Sequence, residues 1–162
     1  MRIDGAREHA VLIGLGAWKV QDVHDDAGVI VAVEVEPEID LTGYDAAFQA
    51  KAKADLLAYA ASMRFRRETG GIVVAGQPVA TDRESQALIS GAYALVQAQP
   101  DTTIRFKTPS GFVTLGSTQM AAIAVAVAQH VQACFALEAD IAGDIEAGEV
   151  TTLAAIDAAF SA

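Results

Sequence analysis

Two segments decide the fold of this chain: Arg66-Arg67-Glu68-Thr69-Gly70-Gly71-Ile72 and Ala80-Thr81-Asp82-Arg83-Glu84-Ser85-Gln86. The paired glycines predict the end of a helix, because glycine readily adopts the left-handed backbone that closes a helix at its C-terminus. The second segment matches a capping box, in which Thr81 and Glu84 satisfy free amides at the start of the next helix. Apolar residues lie between the two segments, so we predict a β-hairpin leading into a helix.

The hairpin between these segments is expected to turn at Ala75-Gly76-Gln77-Pro78, which would place Val74 opposite Val79. The helix that follows should stop before Pro100, since proline cannot continue a helix. Upstream, apolar residues at steps of three and four predict a helix over Tyr44–Glu68. Its basic end, which includes Arg64, Arg66 and Arg67, suits the negative C-terminal pole of a helix.

A second unit of the same kind follows. The sequence Thr108-Pro109-Ser110-Gly111 is typical of a tight turn, and a hairpin around it pairs Ile104 with Leu115 and Phe106 with Val113. Arg105 and Lys107 should then face outward. The hairpin leads into a long helix predicted over Thr118–Ala142 with Ser117 as its N-cap, and a short helix over Thr151–Phe160, capped by Thr151, ends the chain.

The long helix has apolar residues at heptad spacing. Two stripes lie side by side on its surface and indicate a packing seam. Their residues are Met120, Val127, Cys134 and Ile141 in one stripe and Ile123, His130 and Leu137 in the other. Packing inside the chain is the favoured interpretation, and symmetric packing in a homo-oligomer is an open alternative.

The N-terminal part predicts a β-hairpin or small meander over His9–Pro37, in which Ala10–Trp18 forms one strand. Alternating valines predict a second strand, and Asp25-Asp26-Ala27-Gly28 suits the turn before it. The valines are Val29, Val31, Val33 and Val35. The predicted fold is therefore α+β: an N-terminal β-hairpin module over residues 1–40, then a helical domain over residues 41–162 with two short β-hairpins that each lead into a helix.

Charge and composition narrow the function classes. The net charge of −10 disfavours contact with nucleic acid. The longest apolar run, Met120–Ala128, is too short for a membrane span of about 20 residues. The chain has one cysteine, which excludes an intrachain disulfide. We therefore predict a soluble protein made in the cytoplasm, with neither nucleic acid nor membrane as a partner.

No residue pattern predicts catalysis or a cofactor. Gly14-Leu15-Gly16 lacks the third glycine and the following helix of a dinucleotide site. His9 and His24 could face each other, yet no ligand spacing typical of zinc supports a site there. His130 is expected to be buried against a strand carbonyl, and Cys134 to be an inert core thiol.

Several short sequence motifs, in this order along the chain, resemble those of a domain of uncharacterised role at the C-termini of bacteriophage tail and tail-fibre-associated proteins. The likeness covers about Lys51 to Phe160. The motifs that carry the resemblance are Arg67-Glu68-Thr69-Gly70-Gly71, Thr81-Asp82-Arg83-Glu84-Ser85-Gln86, Ile89-Ser90-Gly91-Ala92, Phe106-Lys107 with Gly111-Phe112-Val113-Thr114-Leu115, and His130-Val131-Gln132-Ala133-Cys134-Phe135. The resemblance implies no enzymatic activity, and it implies a location in a phage or prophage tail, near the fibre or baseplate.

The first hypothesis is thus a non-enzymatic structural component of the tail tip, baseplate or fibre, located in the virion. The alternative is a tail-fibre assembly chaperone, acting in the host cytoplasm during assembly. A third hypothesis is a small metal-dependent enzyme that uses His9, His24 and Asp26. Other tail or fibre proteins are the expected partners, through an edge strand that could join a partner sheet. The candidate interaction residues are Val29, Val31, Val33, Val35, Arg64, Arg66, Arg67, Arg105 and Lys107.

Overall fold

A computed structural model describes residues 1–108 and 111–161, without the side chain of residue 108. It confirms the α+β class and the two hairpin–helix units. The described elements, in chain order, are β1 (Arg2–Asp4), α1 (His9–Gly14), β2 (Lys19–His24), β3 (Ile30–Glu36), α2 (Tyr44–Thr69), β4 (Ile72–Val74), β5 (Gln77–Val79), α3 (Arg83–Ala98), β6 (Ile104–Thr108), β7 (Gly111–Leu115), α4 (Ser117–Ala147) and α5 (Leu153–Ser161).

The chain divides into two compact units, Met1–Asp55 and Leu56–Ala162. The first unit is built on a three-stranded antiparallel sheet in the order β1-β3-β2. One face of this sheet packs on α1, with Leu12, Val33 and Val35 almost completely buried. The predicted turn between β2 and β3 is confirmed: the Asp25 carboxylate accepts hydrogen bonds from the amides of Ala27 and Val29, both at 2.9 Å.

The prediction of a strand over Ala10–Trp18 is wrong, because α1 occupies the first half of this segment. Val11, Leu12 and Leu15 lie at the spacing of one helical face, and all three pack into the core of the first unit. The continuous apolar run could not distinguish a buried strand from a short buried helix. Strand β1, which was not predicted, completes the sheet through the pair Ile3↔Val33.

In the second unit, helix α2 ends one residue beyond its predicted bound. Two groups of apolar side chains form the core of this unit. Val79, Ile89 and Met120 belong to the group around the two hairpins, α3 and the first half of α4. Ala60 and Ile156 belong to the group in which α2, α5 and the second half of α4 meet.

The two hairpins differ in how well their pairing was predicted. In β6 and β7, Ile104 pairs with Leu115 and Phe106 with Val113, as predicted. The predicted turn residues 109 and 110 lie outside the described residues. In β4 and β5 the prediction is wrong: Val74 pairs with Gln77, so the turn has only two residues. Both of those residues, Ala75 and Gly76, have positive φ, which is typical of the tightest hairpins.

The predicted N-caps are each displaced by one residue. Asp82, not Thr81, caps α3, and its carboxylate accepts a hydrogen bond from the Ser85 amide at 3.0 Å. Gly116, not Ser117, precedes α4. In α5 the hydroxyl of Thr152, not of Thr151, accepts a hydrogen bond from the Ala155 amide at 3.3 Å. Several polar residues stood side by side at each start, so sequence alone did not single out the cap.

Helix α4 is longer than predicted, because Gly143 lies inside it and the left-handed Gly148 closes it. The stripe of Met120, Val127 and Cys134 is buried, so the favoured interpretation of the heptad pattern is confirmed. Among the described residues, α4 is the one helix whose length and composition would allow it to cross a membrane, and 17% of its most apolar 18-residue window is buried. Much of this apolar helix therefore faces solvent.

Candidate functional site

The most concentrated polar site of the second unit surrounds Glu68, whose side chain is completely buried. The guanidinium of Arg64 contacts its Oε2 atom from one helical turn away. The guanidinium of Arg83, at the start of α3, lies 3.1 Å from Oε1 and 3.3 Å from Oε2. The side-chain amide of Gln86 donates to Oε1 at 3.2 Å. Both carboxylate oxygens are thus occupied by cations or donors from two helices.

Thr81 connects this carboxylate site to the backbone of the hairpin. Its buried hydroxyl donates to the carbonyl of Glu68 at 2.6 Å and accepts from the amide of Gly71 at 2.9 Å. The side-chain amide of Gln86 also donates to the backbone carbonyl of Thr81 at 2.7 Å. The two segments that decide the fold therefore meet in space, and we call Arg64, Glu68, Thr81, Arg83 and Gln86 the Glu68 cluster.

Arg64 extends the cluster to helix α4. Its Nε donates to Glu138 at 2.8 Å, and its guanidinium lies 4.5 Å from the ring centroid of Phe135. The neighbouring Arg67 donates to the carbonyl of Phe160 at 2.8 Å, which fastens α5. Two of the three predicted basic interaction residues of α2 thus make contacts within the unit. The third, Arg66, is exposed, and its guanidinium lies 3.7 Å from the sulfur of Met63.

The electrostatics keep Glu68 ionised. Burial by itself raises the pKa of this carboxyl, but the hydrogen bonds from Gln86 and Arg64 and the positive charges of Arg83 and Arg64 outweigh burial, and the pKa lies below its ordinary value. A carboxylate that is held ionised and has both oxygens engaged is a poor proton acceptor. The arrangement is suited to joining α2, α3 and α4.

His130 and Cys134 lie one turn apart on α4, next to the end of α2. The ring Nε2 of His130 is 3.1 Å from the carbonyl of Arg67 and 3.8 Å from the sulfur of Cys134. The predicted strand carbonyl is therefore wrong: the partner is a carbonyl in the last turn of α2, which also accepts a hydrogen bond from the Gly70 amide at 3.3 Å. His130 itself is only partly buried. Cys134 is buried in the core as predicted, and burial raises the pKa of its thiol, which disfavours the reactive thiolate.

The two histidines of the first unit, His9 and His24, have different neighbours. His9 on α1 contacts Asp22 on β2, with 2.9 Å between Nε2 and Oδ1. His24 is the last residue of β2, opposite Ile30. Within residues 1–108 and 111–161, no group of three His, Cys, Asp or Glu side chains is arranged to hold a metal ion.

The predicted edge strand is not an edge over its paired length, because β3 lies between β1 and β2. The alternation predicted one shared face for the four valines. Val33 and Val35 are buried on the core face, but Val29 and Val31 are exposed, and Val29 precedes β3. What the sequence did not reveal was β1, whose three residues carry too little pattern to predict a strand. Val29 and Val31 remain the accessible members of the predicted set.

The outward face of the β6–β7 hairpin brings two predicted residues together with two that were not predicted, Phe112 and Thr114. Arg105 lies opposite Thr114, and Lys107 lies opposite Phe112. All four are exposed, and the ammonium of Lys107 is 6.0 Å from the ring centroid of Phe112. Phe112 exposes 72% of its surface. We call Arg105, Lys107, Phe112 and Thr114 the hairpin face.

An open apolar groove of about 480 Å³ lies between the two hairpins and α4. Val74 and Val79 line it from the first hairpin, Val113 and Leu115 from the second, and Ile123 from α4. The described residues that line this groove carry no formal charge. It suits an apolar side chain, and it does not contain groups for acid–base chemistry.

The second unit is thus an α+β domain in which a buried, ionised carboxylate joins helix α2 to the first hairpin–helix unit. The chain belongs to the family described as Domain of unknown function (DUF4376), which matches residues 51–160. Neither curated proteins nor solved structures gave a match. The family description assigns no role, so the resemblance to phage tail proteins remains a prediction.

Proposed function

We propose that this chain is a non-enzymatic bacteriophage or prophage tail protein that acts by binding other tail or fibre proteins. The location rests on the resemblance of residues 51–160 to tail-associated domains. The mode of action rests on one observation, the hairpin face, where two cations and an exposed phenylalanine share one side of a β-hairpin.

The composition of the hairpin face supports contact with protein. Exposed aromatic residues are enriched where proteins bind one another, and so is arginine. The basic charges also stand out in a chain of net charge −10. A partner surface with acidic residues around an apolar pocket would accept Phe112 and pair with Arg105 and Lys107.

The Glu68 cluster supports the same proposal from another side. It contains Glu68, a completely buried carboxylate of the kind that often marks a catalytic site. Both of its oxygens are engaged by Arg64, Arg83 and Gln86 in the second unit. This use of charge is expected of a domain that needs a rigid shape for binding.

The test is quantitative mass spectrometry of purified particles from the phage or induced prophage that carries the gene. The wild-type chain should be present in stoichiometric amounts. The variant Arg105→Glu/Lys107→Glu/Phe112→Ser should be depleted at least about tenfold, because charge reversal at a contact costs more than about 1.4 kcal/mol. The control Val73→Ser changes a residue that is 73% exposed on the other hairpin, and it should be incorporated normally.

Absence of the wild-type chain from mature particles would refute a structural role. The assembly chaperone then becomes the better function, provided that co-expression restores soluble, trimeric fibre protein. Equal incorporation of the triple variant and wild type would refute the hairpin face as the contact. Enzymatic turnover by the purified chain, lost in a His9→Ala/His24→Ala variant, would support the metal-dependent enzyme instead.

A further inference from the structure

The exposed side of α4 carries a second heptad stripe, opposite the buried one. Its positions alternate at steps of three and four over about 38 Å of helix, and each of them is exposed. The residues are Thr118, Ala122, Val125, Gln129, Gln132, Ala136, Ala139 and Gly143. Such spacing keeps one face of a helix directed at a partner helix. We call this set the outer stripe.

From this stripe we infer that the chain forms an antiparallel homodimer through helix α4. The partner is a second copy, because the stripe is complementary to itself when one copy is reversed about a two-fold axis between Gln129 and Gln132. Every layer then combines two uncharged residues, and the central layer combines two glutamines. The layers are Thr118 with Gly143, Ala122 with Ala139, Val125 with Ala136, and Gln129 with Gln132.

In the central layer, the side-chain amides of Gln129 and Gln132 can form hydrogen bonds with each other across the dimer. Gln129 and Gln132 are exposed, and neither side chain has a hydrogen-bond partner in the described part of the chain. A side-chain amide has both a donor and an acceptor, so two facing amides can satisfy each other. The flanking layers contain alanine, valine, glycine and threonine, whose short side chains allow two helix backbones to approach closely.

Charge complementarity selects the antiparallel direction. Residues 117–137 contain no Asp, Glu, Lys or Arg, whereas Asp140 and Asp144 lie exposed near the other end of the helix. A parallel pair would bring these carboxylates against their own copies, which is unfavourable. The antiparallel pair brings them beside the first turn of the partner helix, where the helix dipole is positive.

The inference also accounts for the exposure of α4. Only 17% of its most apolar window is buried within the chain, although an apolar helix of a water-soluble domain normally buries such a surface. A second copy would cover it. This dimer goes beyond the proposed function and does not depend on it, because it is a property of the isolated chain.

Sedimentation velocity of the full chain tests the inference over micromolar concentrations. Wild type should show a reversible shift to twice the chain mass. Val125→Glu should raise the dissociation constant by about 100-fold or more, because it places unpaired carboxylates in an apolar layer. The control Leu88→Glu alters a leucine on α3 that is 60% exposed, against 49% for Val125, and it should dimerise like wild type.

Oxidative cross-linking tests the direction independently. A mixture of Val125→Cys and Ala136→Cys chains should form covalent heterodimers, while Val125→Cys alone should not, because its two copies would be about 16 Å apart along the helix. Wild type, with only the buried Cys134, is the control. Cross-linking of Val125→Cys alone would overturn the antiparallel arrangement.

A wild-type chain that stays monomeric at every concentration would overturn the inference, as would dimerisation of Val125→Glu equal to that of wild type. Binding of the monomer to phosphatidylcholine–phosphatidylglycerol vesicles, abolished by Val125→Glu, would overturn it in favour of a lipid surface. A monomer that is nevertheless incorporated into virions would refute the dimer and leave the proposed function intact.

Discussion

Replacing Glu68 with glutamine removes one negative charge and keeps the shape of the side chain. Removing one partner of a buried ion pair typically destabilises a protein by about 3–5 kcal/mol, because the remaining charge stays buried without compensation. Here Arg64 keeps its contact with Glu138, and Arg83 is 57% exposed and can turn to water. We therefore expect the lower end of that range, about 3 kcal/mol.

Urea unfolding of the full chain, followed by far-ultraviolet circular dichroism, measures this change. With a denaturant slope of about 2 kcal/mol per molar urea, the midpoint of the variant should fall by about 1.5 M. The control is Glu84→Gln, which removes the same charge from an exposed position on the first turn of α3. Its change should stay within about 0.5 kcal/mol. The fluorescence of Trp18 follows the first unit separately.

The pH dependence of the difference provides a second, independent result. Because the pKa of Glu68 is lowered in the folded chain, its ionised form stabilises the fold above the ordinary glutamate pKa of about 4.3. That contribution is lost as the pH falls through the lower folded value. The gap between wild type and Glu68→Gln should therefore be full at pH 7 and narrow below about pH 4. A gap that is small at pH 7, or that widens in acid, would refute the account of the cluster.

Three further predictions concern residues near the cluster and are checked in the same denaturation assay or by thiol labelling. Thr81→Val should cost about 2 kcal/mol, because it leaves the Glu68 carbonyl and the Gly71 amide unpaired, whereas Thr81→Ser should be nearly neutral. Gly71→Ala should destabilise by about 1–2 kcal/mol, since its φ is +87° and an added Cβ would lie 3.2 Å from a carbonyl; Gly91→Ala, in a helix with open space around it, should stabilise by up to about 1 kcal/mol. Cys134 should react with Ellman's reagent at pH 8 at least about tenfold more slowly in native chain than in urea, because burial raises the pKa of its thiol, and equal rates would contradict the buried environment.

Much of the second unit was predictable because its start and stop signals are chemically specific. The glycines after Thr69 ended α2, and the spacing of apolar residues gave the buried side of α4. The pairing of β6 with β7 followed from the position of the turn predicted between them. These features depend on the spacing of residues that are close in the sequence, so they can be predicted from the sequence alone.

Prediction was weaker where neighbouring positions have similar chemistry or where an element is very short. Helix α1 and strand β1 have six and three residues, too few for a period to distinguish helix from strand. In the first hairpin, Ala75 takes a positive φ that favours glycine or asparagine, so the two-residue turn was not visible in the sequence.

The Glu68 cluster was missed for a different reason: it depends on contacts between distant parts of the chain. One local signal was nevertheless present. Glu68 lies in the last turn of α2, where a negative charge opposes the helix dipole, and a helix that ends in this way needs nearby cations to compensate. Arg64, four residues earlier, was a visible candidate. Arg83 lies fifteen residues later, and only the capping segment indicated that it would return to the same place. An acidic residue at the wrong pole of a helix, followed by a hairpin and a capped basic helix start, therefore predicts a buried ion pair that joins the two helices.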